Sequence, residues 1–155
     1  MKAIELANYI LGYCQRNNIE DCTPKKMQKL LYYVYVWYLL YTGNKIINEK
    51  FFAWLHGPVV AEVYGKYKEY GYHVIPFEDE YRKDYDELFS DEDKEIVSCI
   101  LDSYSNFTAD KLEEKTHREE PWIKARMRDD FVIDDQDIMK FYSKVWNDSN
   151  SENKL

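Results

Sequence analysis

At 155 residues the chain is long enough for one domain with a real core. A net charge of −8 argues against nucleic-acid binding unless a local basic stripe overrides the field. The three cysteines are odd in number and fit no Cys-x-x-Cys pattern, so they read as free thiols of a reducing cytoplasm, not as a disulfide framework or a zinc site.

Ile4, Ala7, Ile10, Leu11 and Cys14 recur at helical spacing and predict a first helix over about residues 2 to 16, with Cys14 on its buried face. Met1-Lys2 leads straight into this pattern, with no secretory signal expected. Thr23 then offers a cap and Pro24 a first helical residue for a second helix over 24 to 42, which Gly43 ends. Past Met27 this helix is apolar nearly all round and should be central. Its most apolar run, Leu30 to Tyr41, has twelve residues, whereas a membrane span needs about 20. Lys25, Lys26 and Lys29 are the nearest thing to a basic stripe, and the favoured reading makes them the wet side of that helix.

Residues 46 to 54 and 74 to 77 are β-prone and predict a minor strand element, the later run pairing with the earlier. Between them, Gly57-Pro58 is read as the opening of a third helix, a joint where an extended approach turns into a helical one. Trp54 is taken as a core piece packed under that joint, so that Trp54→Ala is expected to cost about 3 kcal/mol or more. Residues 78 to 93 carry nine acidic side chains and read as a solvated loop. Ser90 caps a fourth helix, Thr108 a short fifth through Leu112, Pro121 heads a sixth with Trp122 and Ala125, and Asp134 or Asp135 starts a last one. The expected architecture is mainly α: one bundle of six to seven helices over residues 1 to 146, then a polar, frayed tail over 147 to 155.

Two histidines are the chemical suspects, since imidazole titrates near neutrality. One reading brings His56 and His117 into a cleft, with Glu62, Glu119 or Glu120 orienting them as acid and base. The other, which is favoured, has each ring hydrogen-bonding backbone groups near a helix start. No nucleophile elbow, phosphate loop, dinucleotide fingerprint or metal spacing supports catalysis, and no cofactor or metal is expected. The 15 tyrosines suit a core that grades into a contact surface.

Three stretches resemble one family. Thr23 through Tyr33 is similar to the helix that opens the Panacea, or SocA-like, domain. So is Phe52-Ala53-Trp54 through Gly57-Pro58-Val59 to Glu62-Val63-Tyr64 and Tyr67, and so is the set Leu112, Thr116-His117, Pro121-Trp122 and Ala125. The blocks stand in the family's order, over roughly residues 1 to 145. Where His56 stands the family commonly has tyrosine, whereas His117 matches its Thr-His pair. The resemblance implies a mainly α, non-enzymatic antitoxin of bacteria, phages or prophages. Such a protein binds a toxin directly, one branch handing it to a cytoplasmic protease, and a phage-borne counter-defence or regulatory role is the alternative. The candidates for the motif or for partner binding are Trp54, Gly57, Pro58, Tyr64, Thr116, His117, Pro121 and Trp122, which the resemblance marks, together with His56, which departs from it. An acidic, tyrosine-rich surface would suit a basic partner. An enzyme built on His117 and a neighbouring Glu is the contrasting reading.

Overall fold

Helix α2, Pro24–Thr42, is the axis on which the rest is assembled. The computed structural model describes residues 1–78 and 89–153, the last three of these by backbone alone. Thr23 caps α2 through its hydroxyl, which accepts the Lys26 N–H at 3.2 Å, and Gly43 ends it in the left-handed region at φ +75°. From Met27 to Val36 every residue is buried, so α2 has neighbours on all sides: α1 (Ala3–Arg16), α3 (Ala61–Tyr67), α4 (Asp91–Tyr104), α5 (Ala109–His117) and α7 (Asp135–Asn153). A short α6, Glu120–Arg126, packs between α7 and a two-stranded ribbon. The fold is mainly α with one small β element, as expected. Among the described residues no helix is long and apolar enough to cross a membrane.

The tyrosines explain how an acidic chain closes this core. From α2, the Tyr35 hydroxyl donates to Asp135 at 2.7 Å and the Tyr38 hydroxyl to Asp93 at 2.9 Å. Tyr33 and Tyr142 both donate to Glu119, at 2.5 and 3.0 Å. Tyr13 of α1 reaches Asp102 of α4, and Tyr67 of α3 reaches Asn8 of α1 at 2.7 Å. Each ring buries apolar area while its hydroxyl satisfies a polar group on a distant element. These tyrosines are core pins, which narrows the tyrosine-rich surface expected from composition.

Four local expectations change. The ribbon is β1, Phe52–Trp54, paired antiparallel with β2, Gly57–Val59, and only Leu55 and His56 lie between the paired Trp54 and Gly57. Gly57-Pro58 is therefore strand, and α3 starts three residues after Pro58, at Ala61. Residues 46 to 51 and 74 to 77 form no strand, although Ile46, Ile47 and Ile75 are buried and the Ile75 N–H reaches the Cys22 carbonyl at 2.9 Å. Helix α5 runs five residues past Leu112 to His117, and α7 continues to Asn153 where a frayed tail was expected from Asn147. The acidic stretch 78 to 93 lies outside the described residues over 79–88; at its end the Ser90 hydroxyl caps α4 by accepting the Asp93 N–H at 3.1 Å.

Candidate functional site

The β1–β2 ribbon is held by residues of the three sequence blocks together with Arg126, Phe131 and Ile133. Along the outer edge of β1, the Ala53 N–H donates to the Phe131 carbonyl at 2.7 Å and the Ile133 N–H to the Phe51 carbonyl at 2.9 Å. From α6, Arg126 donates to the Ala53 carbonyl and the Trp122 indole to the Trp54 carbonyl, each at 3.0 Å. From α2, the Lys29 ammonium donates to the Pro58 carbonyl at 3.0 Å. The Gln28 amide takes both backbone groups of Val60, accepting its N–H at 3.0 Å and donating to its carbonyl at 3.2 Å. Val60 is the N-cap residue of α3 and has no side-chain cap of its own, so Gln28 restrains this helix start from outside.

Helix α5 presents Glu113, Thr116 and His117 to the same ribbon. Glu113 is the residue the sequence reading missed. Its carboxylate binds Lys25 at 2.6 Å and the His56 Nδ1 at 2.7 Å, and Lys25 also binds Asp110 at 2.8 Å. Partial burial would raise the Glu113 carboxyl, but the hydrogen bonds from Lys25 and His56 prevail and hold it below its usual range. The Thr116 hydroxyl donates back to the Glu113 carbonyl at 2.8 Å and sits beside Gly57. His117 stacks on Trp122 with ring centroids 4.1 Å apart and hydrogen-bonds the Leu55 backbone. Burial lowers its pKa, and Nε2 is enclosed with no hydrogen-bond partner among the described residues.

The two imidazoles therefore do different things. His56 is exposed at the ribbon tip and tied to Glu113; His117 is a packed support for the ribbon backbone. None of the three expected orienting carboxylates serves them: Glu62 is exposed on α3, Glu119 points at Tyr33 and Tyr142, and Glu120 pairs with Lys124 at 3.6 Å. Pro121 is buried in the first turn of α6. Trp54 is not the core piece the sequence suggested, being 36% exposed and set edge-on against the half-exposed Tyr64 at 5.0 Å. The loss of stability expected for Trp54→Ala falls accordingly.

The lysines of α2 also differ from expectation. Lys26 and Lys29 are 1% exposed, and Lys26 pairs with Asp21 at 2.6 Å, so no wet basic stripe exists. Burial pulls the Lys29 ammonium down from 10.5 to about 7. A folded-state pKa below the unfolded one means that the unfolded chain binds more protons between these values, so stability rises with pH over that window. Between pH 7 and 9 this group contributes about 2 kcal/mol of added stability. Urea unfolding of the parent and of Lys29→Met at both pH values checks this: the difference in stability between the two proteins should change by that amount. A constant difference would mean that Lys29 stays protonated in the folded protein across this range, as it would if the ammonium reached water.

The family model described as antitoxin SocA-like, Panacea domain, matches residues 27–123. The chain belongs to that family. The matched span of this Panacea domain opens one residue before Gln28 and closes one after Trp122, so it holds most of the clamp around the ribbon. No curated protein matches the chain, and no solved structure does. In this domain Gln28, Lys29, Gly57, Pro58, Thr116, His117 and Trp122 converge on one ribbon, and Trp54, Leu55 and His56 stand exposed at its tip.

Proposed function

We propose that the protein is a non-enzymatic antitoxin that neutralises a toxin protein by binding it directly through the ribbon tip. The family is antitoxin-like, which supports a protein partner. The observation that carries the reading is the contrast between a pinned backbone and exposed side chains. The carbonyls of Ala53, Trp54 and Pro58 are each taken by a side chain of α2 or α6, while Trp54, Leu55 and His56 face outward. A rigid display of an indole and an aliphatic side chain loses little conformational freedom on binding, and tryptophan is enriched among the residues that dominate interfaces.

Co-expression with the small toxic protein of a neighbouring reading frame should restore growth, and the two chains should co-purify. Trp54→Ala should weaken that complex by about 30-fold, the effect of about 2 kcal/mol at a hot spot, while unfolding at nearly the parent's urea midpoint. Growth restored with no complex detectable even after cross-linking would overturn direct neutralisation.

A further inference from the structure

We propose that the groove beside the ribbon tip receives an apolar side chain of the partner protein together with an adjacent carboxylate. This deepens the antitoxin reading and rests on it for the identity of the occupant. The groove encloses about 410 Å³, enough for one large side chain and its neighbour. Trp54 and Tyr64, in edge contact at 5.0 Å, line it together with Leu55, Tyr72 and Lys29. Single exposed apolar residues need no explanation, but here four large ones share a concave face.

Charge decides what accompanies the apolar group. The chain has 29 acidic and 21 basic side chains, yet among the described residues no Asp or Glu lines the groove, whereas Lys25, Lys29, His56 and Lys68 do. Two of these four have partners within the protein: Lys25 binds Asp110 and Glu113, and His56 binds Glu113. The other two have no ion pair among the described residues. Lys29 spends one N–H on the Pro58 carbonyl, out of three donors, and Lys68 is exposed on the turn after α3. Internal pairing therefore leaves two amines without an ion pair, Lys68 at the rim and the deep Lys29, which burial keeps only partly protonated near neutrality, inside a protein that is negative overall.

An incoming carboxylate supplies a counter-ion to Lys68 at the rim and favours the protonated form of Lys29, which has no ion pair of its own among the described residues. A purely apolar occupant would leave both amines without a counter-ion, and a lysine or arginine would meet like charge. The contact chemistry is thus opposite to what the net charge suggested. A partner that is basic elsewhere can still be steered by the field of the whole protein while an acidic residue enters this groove.

The test uses the full chain, ¹⁵N-labelled, titrated with acetyl-Trp-Glu-amide and its Trp-Gln and Trp-Lys counterparts. The Trp-Glu peptide should shift the Gly57 and Gly71 amides and the Trp54 indole N–H. It should bind at least ten-fold more tightly than Trp-Gln, with Trp-Lys weakest. Lys68→Glu, a surface change that leaves the fold intact, should remove this preference, and Lys29→Met should do so independently. No shift in these resonances with any peptide, equal affinity for Trp-Glu and Trp-Gln, or a stronger response to a short single-stranded oligonucleotide would overturn the assignment. If the groove fails these tests while the co-expressed toxin still co-purifies, the assignment falls and direct neutralisation stands. Groove binding without any toxin complex would support the recognition chemistry and overturn the antitoxin reading instead.

Discussion

Glu119→Ala should lower the stability of the fold by about 3–5 kcal/mol, a large fraction of the 5–15 kcal/mol that holds a typical domain together. Glu119 is 7% exposed and lies between α5 and α6 with its Oε1 accepting from Tyr33 and Tyr142. Tyr33 stacks on Tyr104 at 4.2 Å, Tyr104 accepts from the Trp37 indole at 2.6 Å, and Trp37 meets Tyr142 edge-on at 5.3 Å. Truncation would strand two buried hydroxyls and open a void at the centre of this cluster. An unpaired buried hydroxyl costs about 1–3 kcal/mol, and lost packing adds to it. Burial raises the Glu119 carboxyl pKa against the opposing hydrogen bonds from Tyr33 and Tyr142. Glu119→Gln keeps an acceptor of the same shape and should recover most of the loss. Urea unfolding followed by tryptophan fluorescence measures both variants. Should Glu119→Ala unfold within about 0.5 kcal/mol of the parent, the hydroxyls have found water and the cluster is wetter than described.

The elements legible in the sequence are those whose signals are local. Thr23, Ser90 and Thr108 each cap the helix expected of them, and Gly43 ends α2 at positive φ. The second strand of the ribbon was not legible, because proline's fixed φ of about −65° suits both a first helical turn and an extended strand. What selects the strand here is remote: Lys29 lies 29 residues away in sequence from the Pro58 carbonyl it binds. A signal for that lysine was present all the same. A helix apolar on every side past Met27 leaves no wet face, so Gln28 and Lys29 had to be buried and had to find backbone partners. Glu113 escaped notice because α5 was read as ending at Leu112. Only a helix that continues to His117 sets Glu113 and His117 four residues apart on one face. The tyrosine pins offer no local cue at all, since Tyr13 and Asp102 are 89 residues apart, and Tyr35 and Asp135 are 100.

Gly57→Ala should cost about 3 kcal/mol, and the reason ties the Gly-Pro pair to the buried lysine. Gly57 has φ +111°, a conformation that residues with a side chain rarely adopt, and forcing one there costs about 1–3 kcal/mol. A Cβ at this position would stand 2.3 Å from Lys29 Cε and 3.0 Å from Thr116 Oγ1. A lysine stem usually yields, but this one is 1% exposed and its ammonium is bound to the Pro58 carbonyl. Moving it breaks that bond and leaves the buried amine without its acceptor. The steric part can be separated from the backbone part by pairing the change with Lys29→Ala, which removes the colliding atoms. The double variant should then be more stable than the two single losses added together predict, by about 1 kcal/mol or more. Strict additivity would assign the whole cost to the backbone and leave the Gly57–Lys29 contact without energetic weight. A measured coupling would instead make the closeness of α2 to the ribbon the reason a residue without a side chain stands at 57.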